Sequence, residues 1–314
     1  MSPSRPVRAD YDEFGLLADN AAEAGLPYDA AHPPAVERRE VDVPSGGTVS
    51  ALVWGEGPPD LVLIHGVAQN AHTWDTVALA NERCLVALDL PGHGHSSWRP
   101  AGDYRPTALA ADVAAAVAAL APTATTLVGM SLGGLTALAV LDLEPSLVER
   151  VALIDITPGV DRRKTAAIAA FVGGPESFAD YDKIVERTVA FNPTRSRASL
   201  ERGVRHNACP EPDGTWTWRY DRSHRAPVDA EVLGRLWAAV GTVTQPLLLV
   251  QGATSPVVSD ADVDELRRRR PAPDRATEVL VIDGAGHSIQ GDHPIALAAA
   301  LERFHTTGRA TPAG

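Results

Sequence analysis

Cysteine is nearly missing from this sequence, with Cys84 and Cys209 the only two in 314 residues. Two distant thiols make neither a disulfide framework nor a zinc-ligand pattern. Cys84, inside the apolar run CLVALDL, reads as a buried free thiol. Positive charge is also scarce. Against 40 acidic residues stand 28 basic ones, and the net charge of −12 leaves no basic face to neutralise phosphates. A nucleic-acid partner is therefore not expected. Arg267–Arg270 is the one basic block, and it falls at the expected C-terminal end of a helix, where cations suit the dipole. No apolar run reaches the roughly 18 residues of a membrane span, and the opening MSPSRPVRADYDEF lacks the apolar centre of a signal peptide. The expectation is a cytoplasmic protein with no membrane partner. No G-x-x-x-x-G-K-[ST] occurs, and GMSLGG is not G-x-G-x-x-G, so no nucleotide cofactor is expected.

Apolar residues at 45% and charged residues at 22% fit an ordinary globular chain. Residues 1–37 are polar and proline-bearing, with one short helical candidate over Asp12–Ala24, and read as an extension on the surface. From about residue 38 strands follow one another: VERREVDV, TVSALVW, DLVLIHG and RCLVALDL. A helix is expected from Thr107 to the stop at Pro122. ATTLVG and VERVALIDI are again short buried strands, with a helix over 132–143 between them. The strand pattern lapses over 157–244 and resumes with PLLLVQG, a helix near 260–270, TEVLVIDGAGH and a final helix. This alternation predicts an α/β fold with a mostly parallel central sheet flanked by helices. The core is assigned to 38–156 and 245–308, a mainly helical cap insertion to 157–244, and a tail to 309–314.

GMSLG, residues 129–133, matches G-x-S-x-G with a strand before it and a helix after it. In that setting Ser131 sits on a strained elbow above the C-terminal ends of the strands. A serine hydroxyl needs a base. His287, in VIDGAGHSIQ, follows the last strand through a glycine-rich turn that aims an imidazole at the elbow. His93 and His95 beside Asp89 in DLPGHGH form an H-x-H pair. A zinc centre needs further ligands, and the following SSWRP supplies none, so a glycine-rich loop and no metal are expected.

LVLIHGVAQNAHTW, ALDLPGHGHS, LVGMSLGG and VIDGAGHSIQGDHP together resemble the α/β-hydrolase superfamily, over about residues 40–156 and 244–306. The resemblance implies a Ser-His-acid hydrolase with a helical cap. It also implies an oxyanion hole made from the backbone N–H groups of Val67 and Leu132, with His65 and Gly66 shaping the loop. In many relatives the acid stands three residues past a glycine after the cap, which here is Ser255. Other members place it at the end of the strand before the cap, where DITP puts Asp155. Adjacent strands lie about 4.8 Å apart, so either strand end can reach the imidazole. Asp155 is the expected acid and Asp260 the alternative, while Asp283 only shapes a turn.

In the insertion, DGTWTWRYD carries Trp216 and Trp218, which either fill the cap core or line a pocket over Ser131. An apolar pocket would favour small to medium apolar esters. The expected activity is carboxylic-ester hydrolysis of a small-molecule substrate. Lactone, thioester and C–C cleavage are alternatives of the same machinery, and a slow-turnover ligand receptor is the alternative of another class.

Overall fold

A sheet covered on both faces buries every side chain of a strand such as LVLI. The computed structural model, which describes residues 11–100, 102–222, 229–270 and 277–307, has that sheet. After α1 (Leu17–Ala24), the strands β1 (Val36–Val43) and β2 (Gly47–Trp54) form an antiparallel hairpin. β3 (Leu61–Ile64), α2 (Asp75–Asn81), β4 (Leu85–Leu88), α3 (Pro106–Leu120), β5 (Thr126–Met130), α4 (Leu132–Leu143) and β6 (Arg150–Ile154) follow. Next come α5 (Ala166–Val172), β7 (Ser177–Phe178), α6 (Tyr181–Phe191), α7 (Arg197–Asn207), β8 (Ala208–Pro210) and β9 (Trp216–Trp218). The chain continues through α8 (Ala230–Thr242), β10 (Leu247–Gly252), α9 (Asp260–Arg269), β11 (Thr277–Ile282), α10 (Ile289–Asp292) and α11 (Pro294–Thr307).

The main sheet runs β1-β2-β4-β3-β5-β6-β10-β11. Pairing is antiparallel from β1 to β2 and from β2 to β4, and parallel from β4 onward. The mostly parallel sheet expected from the alternation is thus present. Successive residues of each strand face opposite sides. Val62, Ile64 and Leu127 therefore pack with Leu138 of α4 and Leu236 of α8, while Leu61, Leu63 and Val128 pack with Trp74 and Leu301. Each such side chain contributes about 1.5–3 kcal/mol on burial. Among the described residues no helix is long and apolar enough to cross a membrane.

The structure differs from the sequence reading at two places. α8 falls inside the range 157–244, yet Val232, Leu236, Val240 and Val243 join the main core. An amphipathic period shows that a helix has an apolar face but not which core that face meets. What remains above the sheet is α5, α6 and α7 with a three-stranded antiparallel sheet, β7-β9-β8. This layer has its own core of Phe178, Ile184, Val185, Val204, Trp218 and Tyr220. The N-terminal extension, in turn, is more than a surface layer, because Leu17 and Ala21 are fully buried. The expected tail 309–314 lies outside the described residues.

A buried charge network fixes the extension. Arg38 of β1 donates to Glu13 through Nε at 2.7 Å and to Asp89 through Nη1 at 2.8 Å. His72 faces Asp75 with Nδ1 at 2.9 Å and Glu13 with Nε2 at 3.0 Å. Burial alone would lower the His72 pKa, but the charge and hydrogen bond of Asp75, with that of Glu13, raise it to about 9. Its ring stacks on His206 at the end of α7, with centroids 3.7 Å apart. Burial and then the His72 charge hold His206 well below the usual histidine range. A histidine held toward its charged form therefore stacks on one held toward its neutral form, joining α7 to the loop after β3 and, through Glu13, to the N-terminal segment.

A folded pKa raised above the unfolded value makes the His72 contribution complete below about pH 6.5 and lost as pH rises through about 9. Stability measured by urea unfolding is expected to fall across that window, by at most on the order of 3 kcal/mol from this group. Glu13→Gln should lower stability at pH 7 and flatten the slope. A wild type with no decline between pH 6.5 and 9 would refute the charged state of His72.

Candidate active site

The turn from β5 into α4 requires its glycines. A Cβ on Gly129 would stand 2.3 Å from the Gly133 carbonyl oxygen, and one on Gly133 would stand 2.4 Å from that of Ile64. The close approach forces Ser131 into φ 51°, ψ −116°, a conformation L-residues rarely adopt. The Ser131 N–H donates to the Ile154 carbonyl at 3.2 Å, tying the elbow to the end of β6.

One residue beyond Ile154 is Asp155, also at positive φ (49°) and fully buried. Its Oδ1 accepts the Gly252 N–H at 3.0 Å, and its Oδ2 accepts the Ser255 hydroxyl. His287 Nδ1 meets the same Oδ2 at 2.7 Å, a bond in which Nδ1 donates to the carboxylate. Ser255, the position where many relatives carry the acid, supplies instead a hydrogen bond to the carboxylate from the neighbouring strand. Asp260 opens α9 as an exposed first-turn residue, and the capping there is done by Ser259 and Asp262. Asp283 is exposed on the turn after β11.

The loop after β3 runs beside the elbow. A Cβ on Gly66 would stand 2.4 Å from Met130 Sδ, and its N–H donates to Gln69 Oε1 at 2.9 Å. His65 is fully buried, bonded to the Gly66 carbonyl through Nδ1 and accepting the Leu90 N–H at Nε2. Burial lowers its pKa, so it stays neutral and acts as a strut for this loop. Among the described residues neither the Val67 nor the Leu132 N–H donates to a protein acceptor. The cap holds the loop from above, with Asn207 donating to the Ala68 carbonyl at 2.7 Å and Asn70 donating to that of His206 at 3.2 Å.

A cavity of about 920 Å³ opens between sheet and cap, and Ser131, His287 and Val67 line it. Trp218 lines it too, packed against Phe171 and Phe178. Trp216 lies outside its lining and packs edge-on against Tyr181. Of the two readings open for these tryptophans, Trp218 fits both and Trp216 fits filling alone. Asp89 and the H-x-H pair have a different role. Asp89 accepts the N–H groups of Ala71 and His95 and the Arg38 guanidinium, organising two loops. Sequence reasoning missed the convergence of His72, Asp75 and His206, whose ligand-type atoms lie within 4.8 Å of one another. The partners of His72 identify this group as the charge network above.

The family model for the alpha/beta hydrolase fold matches residues 59–294. This chain belongs to the α/β-hydrolase family. It is 39% identical over 292 residues to esterase Rv0045c of Mycobacterium tuberculosis, covering 91% of this chain and 93% of that protein. A crystal structure of that esterase superposes with a TM-score of 0.80, over 93% of this chain and 97% of the other. The 2-(acetamidomethylene)succinate hydrolase of Mesorhizobium japonicum is 28% identical over 269 residues, covering 85% and 94% of the two chains.

In this α/β hydrolase the elbow leaves no room for a methyl group. Gly133→Ala is expected to destabilise the fold by about 1–3 kcal/mol, because the blocking atoms are backbone. Gly234→Ala, on α8 with nothing within 4 Å of a new Cβ, should instead be neutral or stabilise by up to about 1 kcal/mol. Chemical unfolding of both variants reads the contrast, and equal effects would refute the packing argument.

Proposed function

We propose that this α/β hydrolase cleaves carboxylic esters of small to medium size through an acyl-enzyme on Ser131. The observation that carries the reading is the 2.7 Å bond from His287 Nδ1 to the buried Asp155, beside a cavity that both His287 and Ser131 line. The 39% identity to an esterase over most of both chains supports ester hydrolysis as the reaction.

In this mechanism Ser131 Oγ attacks the ester carbonyl while His287 Nε2 takes its proton. Asp155 holds the imidazole in the tautomer that leaves Nε2 free and stabilises the imidazolium that forms. The N–H groups of Val67 and Leu132 receive the developing oxyanion, and loss of one such donor costs about 2.7–4 kcal/mol of barrier. The imidazolium then protonates the leaving alcohol, the C–O bond breaks, and His287 activates water to release the acid. The segment 157–222 serves as the cap, and the wall of Val67, Met130, Phe171, Val172 and Trp218 favours an apolar group next to the reacting carbonyl.

The test is turnover of short p-nitrophenyl esters. Ser131→Ala should abolish it and block labelling by a fluorophosphonate. Asp155→Asn should lower kcat by about 10⁴-fold, as loss of the orienting carboxylate does in serine hydrolases. Asp260→Asn should leave it within twofold. A large loss confined to Asp260→Asn would transfer the acid role to that residue, and wild-type rates in Ser131→Ala would end the proposal.

A further inference from the structure

The cavity lining is of two kinds. Beside its apolar side chains, α1, α7 and the segment leading into α7 contribute Arg195, Arg202, Ser196, Asn20 and Glu23. Arg202 donates to Asn20 Oδ1 at 2.7 Å and pairs with Glu23, whose other oxygen accepts the Ser196 hydroxyl. Arg195 pairs with no carboxylate. The single hydrogen bond of its guanidinium among the described residues goes from Nη2 to Ser199 Oγ at 2.7 Å, and its Nε is buried with no partner. Two carboxylates face it electrostatically, Asp292 and Glu23. Asp292 Oδ2 is taken by the Gly286 N–H at 2.9 Å, and Glu23 is taken by Arg202. Neither forms an ion pair with Arg195.

A guanidinium offers five donors in a planar fork that matches a carboxylate. Here most of the fork is unused, in a wall of the cavity. It also lies flat on α10, since a Cβ on Gly291 would stand 2.6 Å from Nη1 and 2.7 Å from Cζ. Gly291 is four residues past His287, so the guanidinium packs against the same short stretch of chain that carries the imidazole.

We propose that Arg195 is the anion-recognition group of this cavity, and that the substrate is an ester bearing a second, free carboxylate. This rests on ester hydrolysis at Ser131 and names the substrate class for it. The apolar wall takes the chain between the two functional groups, and Arg195 pairs with the far carboxylate. An uncharged ester of equal length leaves that guanidinium without a partner, which makes the cavity discriminate by charge.

The experiment compares p-nitrophenyl hemiesters of succinate, glutarate, adipate and pimelate with uncharged p-nitrophenyl esters of the same chain lengths. In the wild type, kcat/KM is expected to favour the hemiester by about tenfold or more at one chain length. In R195Q that ratio should fall by about tenfold, through KM. Gly291→Ala keeps the charge but displaces it, and should lower the ratio as well. Absence of any preference in the wild type, or an unchanged ratio in R195Q, overturns the proposal. Calorimetric binding of the free dicarboxylates to Ser131→Ala, with and without R195Q, separates the two readings. Arg195-dependent binding together with a wild type that cleaves none of the esters would sink the Ser131 chemistry and leave the anion site standing. Equal binding in both backgrounds would remove the anion site and leave the chemistry untouched.

Discussion

One buried carboxylate organises this molecule. Asp155 is shielded from water, and an ionised group there is tolerable only when its oxygens are hydrogen-bonded. Its donors come from three places: the Gly252 N–H at the end of β10, the Ser255 hydroxyl after it, and His287 on the loop after β11. They converge because Val250 of β10 lies opposite Ile154, and Ile282 of β11 lies opposite Gly252. A one-residue slip of β10 against β6 would turn every side chain to the other face and remove the Gly252 and Ser255 donors together. The site is thus a consequence of sheet register. Ser131 and Asp155, neighbours across β5 and β6, both adopt positive φ at the same edge. Strain of that kind is held in place by the surrounding structure and concentrates at functional sites.

A second constraint acts on the loop carrying Val67. His65 braces it from the sheet side, bonded to Gly66 and Leu90. Asn207 grips the Ala68 carbonyl from the cap side, and the His206 carbonyl accepts from Asn70. The stacked pair of His72 and His206 and the bond between Arg38 and Glu13 extend this grip to the N-terminal extension. Backbone donors that must face a developing charge are useful only if they are held in position beforehand. The proposed mechanism makes the Val67 N–H such a donor, and core, α7 and the N-terminal segment all hold its loop.

The elbow turn and the loop that carries His287 are legible because they are written locally: glycines around Ser131, a glycine turn before His287, and apolar strands leading to each. Asp155 is legible as a carboxylate at a strand end, and its role as the acid belongs to the proposed function. The donation from Ser255 is not legible, because it depends on the register of two strands far apart in the chain. The strands of the cap are two or three residues long, too short for a period to be read. α8 has a clear apolar stripe, but a stripe does not name the core it enters. Trp216 and Trp218 share a face of β9, and only the packing of Tyr181 against one and of the cavity against the other separates their roles. The stack of His72 on His206 joins two segments with no common motif and left no trace in the sequence.

Composition bears on the cavity as well. With 40 carboxylates for 28 cationic side chains, partners for arginine are in surplus. Arg38, Arg83, Arg202 and Arg269 each pair with a carboxylate. Arg195 has the carboxylates of Asp292 and Glu23 nearby and pairs with neither. Leaving a partly desolvated cation open in an acidic protein costs stability unless something completes it. The apolar part of the lining has the same logic, since it too is covered only when a ligand fills the cavity. Both incomplete features face one volume, and an ester with a carboxylate at its far end would complete both at once.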